Sequence, residues 1–340
     1  MDRLKPETPL TRDPLAGSKP DPKKIFVIGC GRWGTFIAWY LHKIGHTVSL
    51  YGRKESANMQ RLQATRKNTY LTLPDGVRLT TELEEAAEAD YLIISVSSQS
   101  LHAVSLQLAQ LNMREKIVVL CMKGLEMQSG RRLSQIAEDA LDRSNRVAVW
   151  LGPGHVQDFL RGIPNCMVID SGSDPVKEEL ISAFSSDLIR FYYGTDLLGN
   201  EVGAAAKNVV GIAAGMLDGL ECSTLKGALM SRGCREIGRL IVAMGGAEHS
   251  VYGLCHLGDY EATLFSGHSQ NRCYGEAIVT GKDYEKLAEG AHTVKALRML
   301  GKIHGVELPI CESVYQILYE EKDPKLILER LFSRSLKSEF

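Results

Sequence analysis

The sequence predicts an α/β protein, a doubly wound sheet followed by an all-α C-terminal domain, and three observations predict it. Short apolar runs alternate with helical patterns up to residue 193, a glycine-punctuated turn follows the first run, and residues 200–331 hold no convincing strand. Alternation of strand and helix is what a sheet covered on both faces requires.

Residues 25–28 form a continuous apolar run, as expected of a strand buried on both faces. Gly29, Gly31 and Gly34 follow in G-x-G-x-x-G spacing, residues 35–44 run at helical spacing, and residues 48–51 read as a second parallel strand. Such a strand–turn–helix–strand frame is the Rossmann-type dinucleotide-binding unit. Gly29 permits the tight turn, Gly31 has no side chain to block a pyrophosphate, and Gly34 lets helix and strand pack closely. The helix amino end offers free N–H groups and a positive dipole to the phosphates. The second strand ends Tyr51-Gly52-Arg53-Lys54, with no carboxylate before Glu55. An acidic residue there would bind the ribose hydroxyls of NAD, whereas the planar fork of Arg53 suits a 2′-phosphate. NADP, as NADPH, is therefore favoured; NAD stays open, since Arg53 also reads as a solvated basic turn.

Further strands are expected at residues 91–96, 117–121, 147–151, 166–170 and 189–193, with helices between them such as 102–111 and 130–141. The change of texture near residues 194–200 divides the chain into a tail (1–22), a dinucleotide-binding domain (23–196) and a helical catalytic domain (197–340). A length of 340 residues suits two domains. Hydrophobic and charged contents of 44% and 24% are those of a globular protein with a real core. A net charge of −1 gives no reason to expect nucleic acid, and no apolar stretch approaches the roughly 20 residues of a membrane span. The tail holds five prolines among charges and no apolar centre, which reads as flexible rather than as a signal peptide. The eight cysteines are scattered without a C-x-x-C pair, as for reduced thiols in the cytoplasm. Without an H-E-x-x-H among the nine histidines, no metal site is expected.

Two lysines at the edges of apolar segments carry the chemistry. Lys123, in C-M-K-G-L-E, follows a strand at the carboxyl end of the sheet, where ligands of open α/β folds lie. Lys207 sits in G-A-A-A-K-N-V-V-G-I-A-A-G, a helix so rich in small residues that its neighbours must approach closely. An ammonium there is costly unless paired or neutral, and burial lowers its pKa towards the range of a general acid. Lys207 then protonates a carbonyl oxygen as hydride arrives; snorkelling to a solvated edge is the plainer alternative for both lysines. Asp259 and Asn208 are placed to hold the ammonium, and Thr263, four residues after Asp259, shares its helical face. Ser269-Gln270-Asn271-Arg272 offers hydrogen-bond donors and one cation to an anionic substrate.

These motifs together resemble the NAD(P)-dependent sn-glycerol-3-phosphate dehydrogenases of the bacterial type. The resemblance rests on G-C-G-R-W-G-T at 29–35, M-K-G-L-E at 122–126, L-G-P-G at 151–154, E-V-G-A-A-A-K-N-V-V-G-I-A-A-G at 201–215 and G-L-C-H-L-G-D at 253–259. S-Q-N-R at 269–272, E-G at 289–290 and S-R-S-L-K-S-E at 333–339 complete the series. It implies interconversion of dihydroxyacetone phosphate and sn-glycerol 3-phosphate for glycerophospholipid synthesis, by a cytoplasmic homodimer. Lys207 is then the acid/base, with Lys123, Asp259 and Thr263 at the reaction centre. Asn208, Gln270, Asn271 and Arg272 fall to the substrate. Arg32, Trp33, Lys123, Arg272 and Glu289 join the glycines and Arg53 around the cofactor. The sequence departs from the family at Gln270, where an arginine usually grips the substrate phosphate, at Thr224-Leu225-Lys226 for N-T-K, and at Gly154-His155 and Ser97-Ser98-Gln99. Cys255 and His256 replace A-G and are expected near the site. A related reductase of another phosphorylated hydroxyketone, or a nicotinamide-binding regulator without turnover, are the other readings.

Overall fold

The computed structural model of the protein describes residues 21–333, so the expected tail lies outside the described residues except for its last two, as does the closing motif beyond Ser333. The apolar runs become β1 (Lys24–Ile28), β2 (Thr47–Tyr51), β3 (Arg78–Thr80), β4 (Tyr91–Ile94), β5 (Ile117–Leu120), β6 (Arg146–Leu151), β7 (Asn165–Ser171) and β8 (Ile189–Tyr193). They form one sheet of order β3-β2-β1-β4-β5-β6-β7-β8. Neighbours are parallel except β6 and β7, which run antiparallel. The sequence reading anticipates every strand but β3. That edge strand has three residues and buries only Thr80, too little for an apolar signal.

Six helices cover the sheet: α1 (Arg32–Lys43), α2 (Ala57–Thr65), α3 (Leu101–Ala109), α4 (Leu133–Ala140), α5 (Val156–Leu160) and α6 (Asp174–Phe184). Alternate residues of β1 serve opposite faces, as a strand's period of two demands. Ile25 and Val27 pack with Phe36, Ile37, Tyr40 and Leu41 of α1, and Phe26 and Ile28 with Leu101 and Leu108 of α3. Burial on both faces is why the run is continuously apolar. Strand order reverses between β1 and β4, and this opens a crevice beyond their carboxyl ends.

After β8 the described chain is helical: α7 (Leu197–Gly219), α8 (Lys226–Ala243), α9 (Gln270–Thr280), α10 (Glu289–Ile303), α11 (Pro309–Tyr319) and α12 (Pro324–Phe332). Asp196 caps α7, its carboxylate accepting from the Gly199 N–H at 3.0 Å. The other helices gather round α7, which is buried along most of its length. Its crossing with α9 is set by two glycines. A Cβ on Gly215 would lie 1.9 Å from the Arg272 carbonyl oxygen, and one on Gly275 2.0 Å from that of Ile212. Each interior glycine costs about 1 kcal/mol of helix propensity against alanine. Here it lets two backbones touch, and that contact fixes the start of α9 relative to Lys207.

Candidate active site

The glycine turn is built by contacts within the protein before any ligand is considered. Gly29 has φ of +113°, and a Cβ there would sit 2.2 Å from the Ser95 carbonyl oxygen after β4. A Cβ on Gly34 would sit 1.9 Å from the Gly29 carbonyl oxygen. Gly31 differs: a Cβ would meet nothing within 4 Å. It faces a cavity of about 880 Å³ beyond the carboxyl ends of the central strands, a size usual for cofactor sites. Gly31 also caps α1, whose first N–H groups open towards that space. Gly29, Gly31, Arg32, Trp33, Arg53, Lys123 and Glu289 all line the cavity; Gly34 lies beneath Gly29 instead. Arg53 is exposed at the end of β2 and has no salt-bridge partner among the described residues, so its fork is open to an anion. An open phosphate cradle and an available guanidinium fit a dinucleotide carrying a 2′-phosphate.

At the wall of this cavity a carboxylate stands between two ammoniums. Asp259 Oδ2 lies 2.7 Å from Lys123 Nζ and 3.0 Å from Lys207 Nζ. Lys207 also donates to Thr263 Oγ1 at 2.6 Å, and Lys123 to the Gly152 carbonyl at 2.5 Å. Thr263 Oγ1 stands 3.5 Å from Asp259 Oδ1. The expected shared face of Asp259 and Thr263 arises on tighter and wider turns than an α-helix, a 3₁₀ turn (Leu257–Asp259) followed by a π-helix (Glu261–Phe265). Burial holds the Lys207 ammonium down to about 8, because desolvation outweighs the attraction of Asp259 and Lys123 repels it further. An amine near 8 is suited to giving and taking a proton close to neutrality.

A chain of side-chain amides carries this geometry between the two halves. Asn208 does not hold an ammonium as expected: its Nδ2 donates to the Lys123 carbonyl at 2.8 Å, and its Oδ1 accepts from Asn271 at 3.0 Å. Asn271 in turn accepts from the Gly290 N–H at 2.9 Å. One residue earlier, Glu289 accepts from the Ser98 N–H at 3.2 Å and from its hydroxyl. Lys123 and Ser98 come from the loops after β5 and β4, so α7, α9 and α10 are tied to the sheet beside the cavity. The sequence reading names Ser98 only as a departure; its bond to Glu289 spans 191 residues and leaves no local signal.

The expected roles of further residues change as well. Arg272, assigned to substrate and cofactor, instead bonds Asp218 at 2.6 Å, Glu276 at 3.0 Å and the Ser266 carbonyl at 3.2 Å, and is not among the cavity's lining residues. Lys226 is consumed by the same Asp218 at 2.6 Å. A carboxylate on α7 thus takes Arg272, the cation that the sequence offered to an anionic substrate, and Lys226 with it. Gln270 lines the cavity, but its amide is engaged: Oε1 accepts from Tyr284 at 2.7 Å, and Nε2 donates to the His268 carbonyl at 3.2 Å. Cys255 and His256 are near the cluster, as expected, and feel the charges of Lys207 and Asp259, but both are fully buried and neither lines the cavity. His256 bonds the Gly203 carbonyl and Tyr260, and burial drives its pKa down to about 4. Among the described residues no group of three His, Cys, Asp or Glu is arranged to hold a metal, and no helix is long and apolar enough to cross a membrane.

Comparison with known proteins matches this architecture half by half. Residues 24–176 match the family model for the N-terminus of NAD-dependent glycerol-3-phosphate dehydrogenase, and residues 196–329 that for its C-terminus. A curated relative from Salinibacter ruber, glycerol-3-phosphate dehydrogenase (NAD(P)+) 2, is 35% identical over 330 residues, covering 93% of this chain and 96% of its own. A glycerol-3-phosphate dehydrogenase (NAD(P)+) from Clostridium botulinum is 35% identical over 329 residues, 93% and 99% of the two chains. The crystal structure of glycerol-3-phosphate dehydrogenase from Coxiella burnetii superposes with a TM-score of 0.86 at 28% identity, over 92% of this chain and 99% of that one. Matched in both halves and nearly throughout its length, the chain belongs to the NAD-dependent glycerol-3-phosphate dehydrogenase family.

Proposed function

We propose that the protein reduces dihydroxyacetone phosphate to sn-glycerol 3-phosphate and runs the reverse oxidation, with NADPH preferred over NADH. The observation that carries this is the Lys207–Asp259–Lys123 cluster at the wall of the cavity that Gly31 opens. When bound, the nicotinamide cofactor supplies the hydride. Lys207 gives its proton to the ketone oxygen as the carbon–oxygen π pair moves onto that oxygen, and solvent restores the proton. Asp259 holds the ammonium beside the oxygen, and Thr263 fixes its direction. Lys123, held by Gly152 and Asp259, adds positive potential where the negative charge develops. On this reading residues 23–196 hold the cofactor and residues 197–340 bring the acid, in a cytoplasmic homodimer; light scattering tests the assembly. A regulator without turnover has no use for a proton donor held at about 8, and the same cluster speaks against it.

Absorbance of the reduced nicotinamide reads turnover directly. Wild type is expected to oxidise NADPH with dihydroxyacetone phosphate, and Lys207→Ala to lose about 10²–10⁴-fold in kcat while keeping cofactor affinity. A folded Lys207→Ala enzyme near wild-type kcat would overturn the assignment. Turnover only with a different phosphorylated ketone would shift the substrate and leave the chemistry.

A further inference from the structure

Where the substrate's anionic end is held does not follow from the residues already assigned. Arg272 and Lys226 are bound to Asp218, and the Gln270 amide is occupied by Tyr284 and the His268 carbonyl. Lys123 and Lys207 are committed to Asp259 at the reacting end. Arg53 follows β2, three strands from the loop of Lys123, which at about 4.8 Å per strand is about 14 Å away. A three-carbon ketone phosphate does not span that gap. Arg32 stands over the Tyr70 ring, 5.9 Å from its centroid, in the first turn of the helix that faces the dinucleotide.

Among the described residues that line the cavity, two imidazoles are left to consider. His155 precedes α5, in the loop after β6; His268 lies just before α9, and the ring centroids are 5.6 Å apart. His155 Nε2 is buried and has no hydrogen-bond partner in the protein, which is costly for a polar atom unless a ligand completes it. The neighbouring Gly152 carbonyl already holds Lys123, so the His155 loop starts at the reaction centre. The charges facing His155 place it between the two ends of the cleft: Asp259 of the reaction centre, His268 beside Gln270, Arg32 of α1 and Asp158 of its own helix.

Resting on the function proposed above, we propose that His155, with His268 beside it, binds the phosphate monoester of the substrate and so sets the preference for phosphorylated ketones. The donor is an imidazole, so the grip depends on pH. Without a ligand, burial and the charge of Arg32 hold the His155 pKa below its usual 6.5, with Asp158 and Asp259 opposing and His268 adding to the depression. A phosphate dianion beside the ring favours the protonated form. Affinity therefore rises as pH falls towards the phosphate's own second ionisation near ~6.

The test compares dihydroxyacetone phosphate with unphosphorylated dihydroxyacetone in wild type, His155→Ala and His268→Ala. His155→Ala should narrow the kcat/KM ratio of the two ketones by about ten- to a hundredfold, the worth of one charge-assisted hydrogen bond, with the loss in KM rather than kcat. His268→Ala should narrow it by less. Wild-type KM for the phosphorylated ketone should fall between pH 8 and 6.5, and that for the unphosphorylated one should not. A second readout keeps the proposal open to refutation if His155→Ala does not fold. In wild-type enzyme carrying ¹³C-labelled histidine, the His155 ring resonance, assigned through His155→Gln, should shift on titration with inorganic phosphate. An unchanged ratio, or a His155 resonance that phosphate leaves in place, overturns the proposal. Absence of turnover by wild type with any ketone would instead count against the proposed function, and the phosphate titration would still decide the anion site.

Discussion

At the scale of single residues, the chemistry follows from how much water each charge has lost. Lys207 is buried with only one carboxylate nearby, and that carboxylate is shared with Lys123. Desolvation wins over attraction, and the ammonium is held down to about 8 from an ordinary 10.5. Ketone reduction needs the protonated amine, so its kcat should be level below about pH 8 and fall about tenfold per unit above it. Alcohol oxidation needs the free amine and should show the mirror profile. A reductive limb that stayed level to pH 10 would exclude Lys207 as the acid. The sign for stability is opposite to that of an ion pair that favours the charged form. Between about 8 and 10.5 the unfolded chain keeps a proton on Lys207 that the folded chain has released, so this residue's contribution to stability rises with pH across that window. Arg53 supports a second prediction. A guanidinium without a salt-bridge partner should bind the 2′-phosphate of NADPH, and Arg53→Asp should raise KM for NADPH by about tenfold or more while sparing NADH. Equal KM changes for the two cofactors would remove Arg53 from that role.

Elements matter here through where they start and where they cross. α1 starts at the glycine turn, α9 at Ser269, whose hydroxyl accepts from the Arg272 N–H at 3.3 Å, and α10 at Glu289. Each of these starts adjoins the cavity, so each helix delivers its first residues to the site. The crossing of α7 and α9 then sets the distance from Lys207 to Gln270 and Asn271. Gly215→Ala tests that crossing. Alanine adds about 1 kcal/mol of helix propensity, but its Cβ would lie 1.9 Å from a backbone oxygen that has no rotamer to escape into. Overpacking typically costs about 1–3 kcal/mol, so steric cost should win, lowering Tm by a few degrees and kcat/KM by about tenfold as α9 moves off. Thermal unfolding and steady-state rates check it together; wild-type values in both would show the crossing to be compliant.

Across the whole molecule, the two halves are joined by buried polar bonds as well as by packing. Glu201 of α7 accepts from Arg132 at 2.5 Å and from the Ser134 N–H and hydroxyl at 2.9 and 2.6 Å, at the start of α4. Asn200, beside it, donates to Asp170 of β7 at 2.7 Å. Ala204 of α7 and Cys255 share an apolar cluster with Leu120, Leu151 and Val168 of the sheet. Cleaving a buried pair such as Arg132–Glu201 from one side leaves an uncompensated charge, which typically costs about 3–5 kcal/mol. The cleft between sheet and helices is therefore a braced wall, with the Lys123–Asp259 pair among its braces.

What the sequence determined by itself is what local pattern and small-residue spacing can encode. The glycine turn, the strands with apolar residues on both faces, the switch to helices after residue 193, and Lys207 in its run of alanines and glycines are all legible, because each needs particular residues at fixed spacing. β3 is not, since an edge strand of three residues carries too little burial to leave a pattern. Only the tertiary structure decided which polar groups meet. Arg272 looked available to an anion until Asp218, from a separate helix, was brought to it and to Lys226. Conversely, His155 carried no signal as a site residue until the fold set it against Asp259, His268 and Arg32, residues 104, 113 and 123 positions away in the chain. Pairing of charges depends on distances that close only when the sheet and the helical half are packed together, and no local pattern records them.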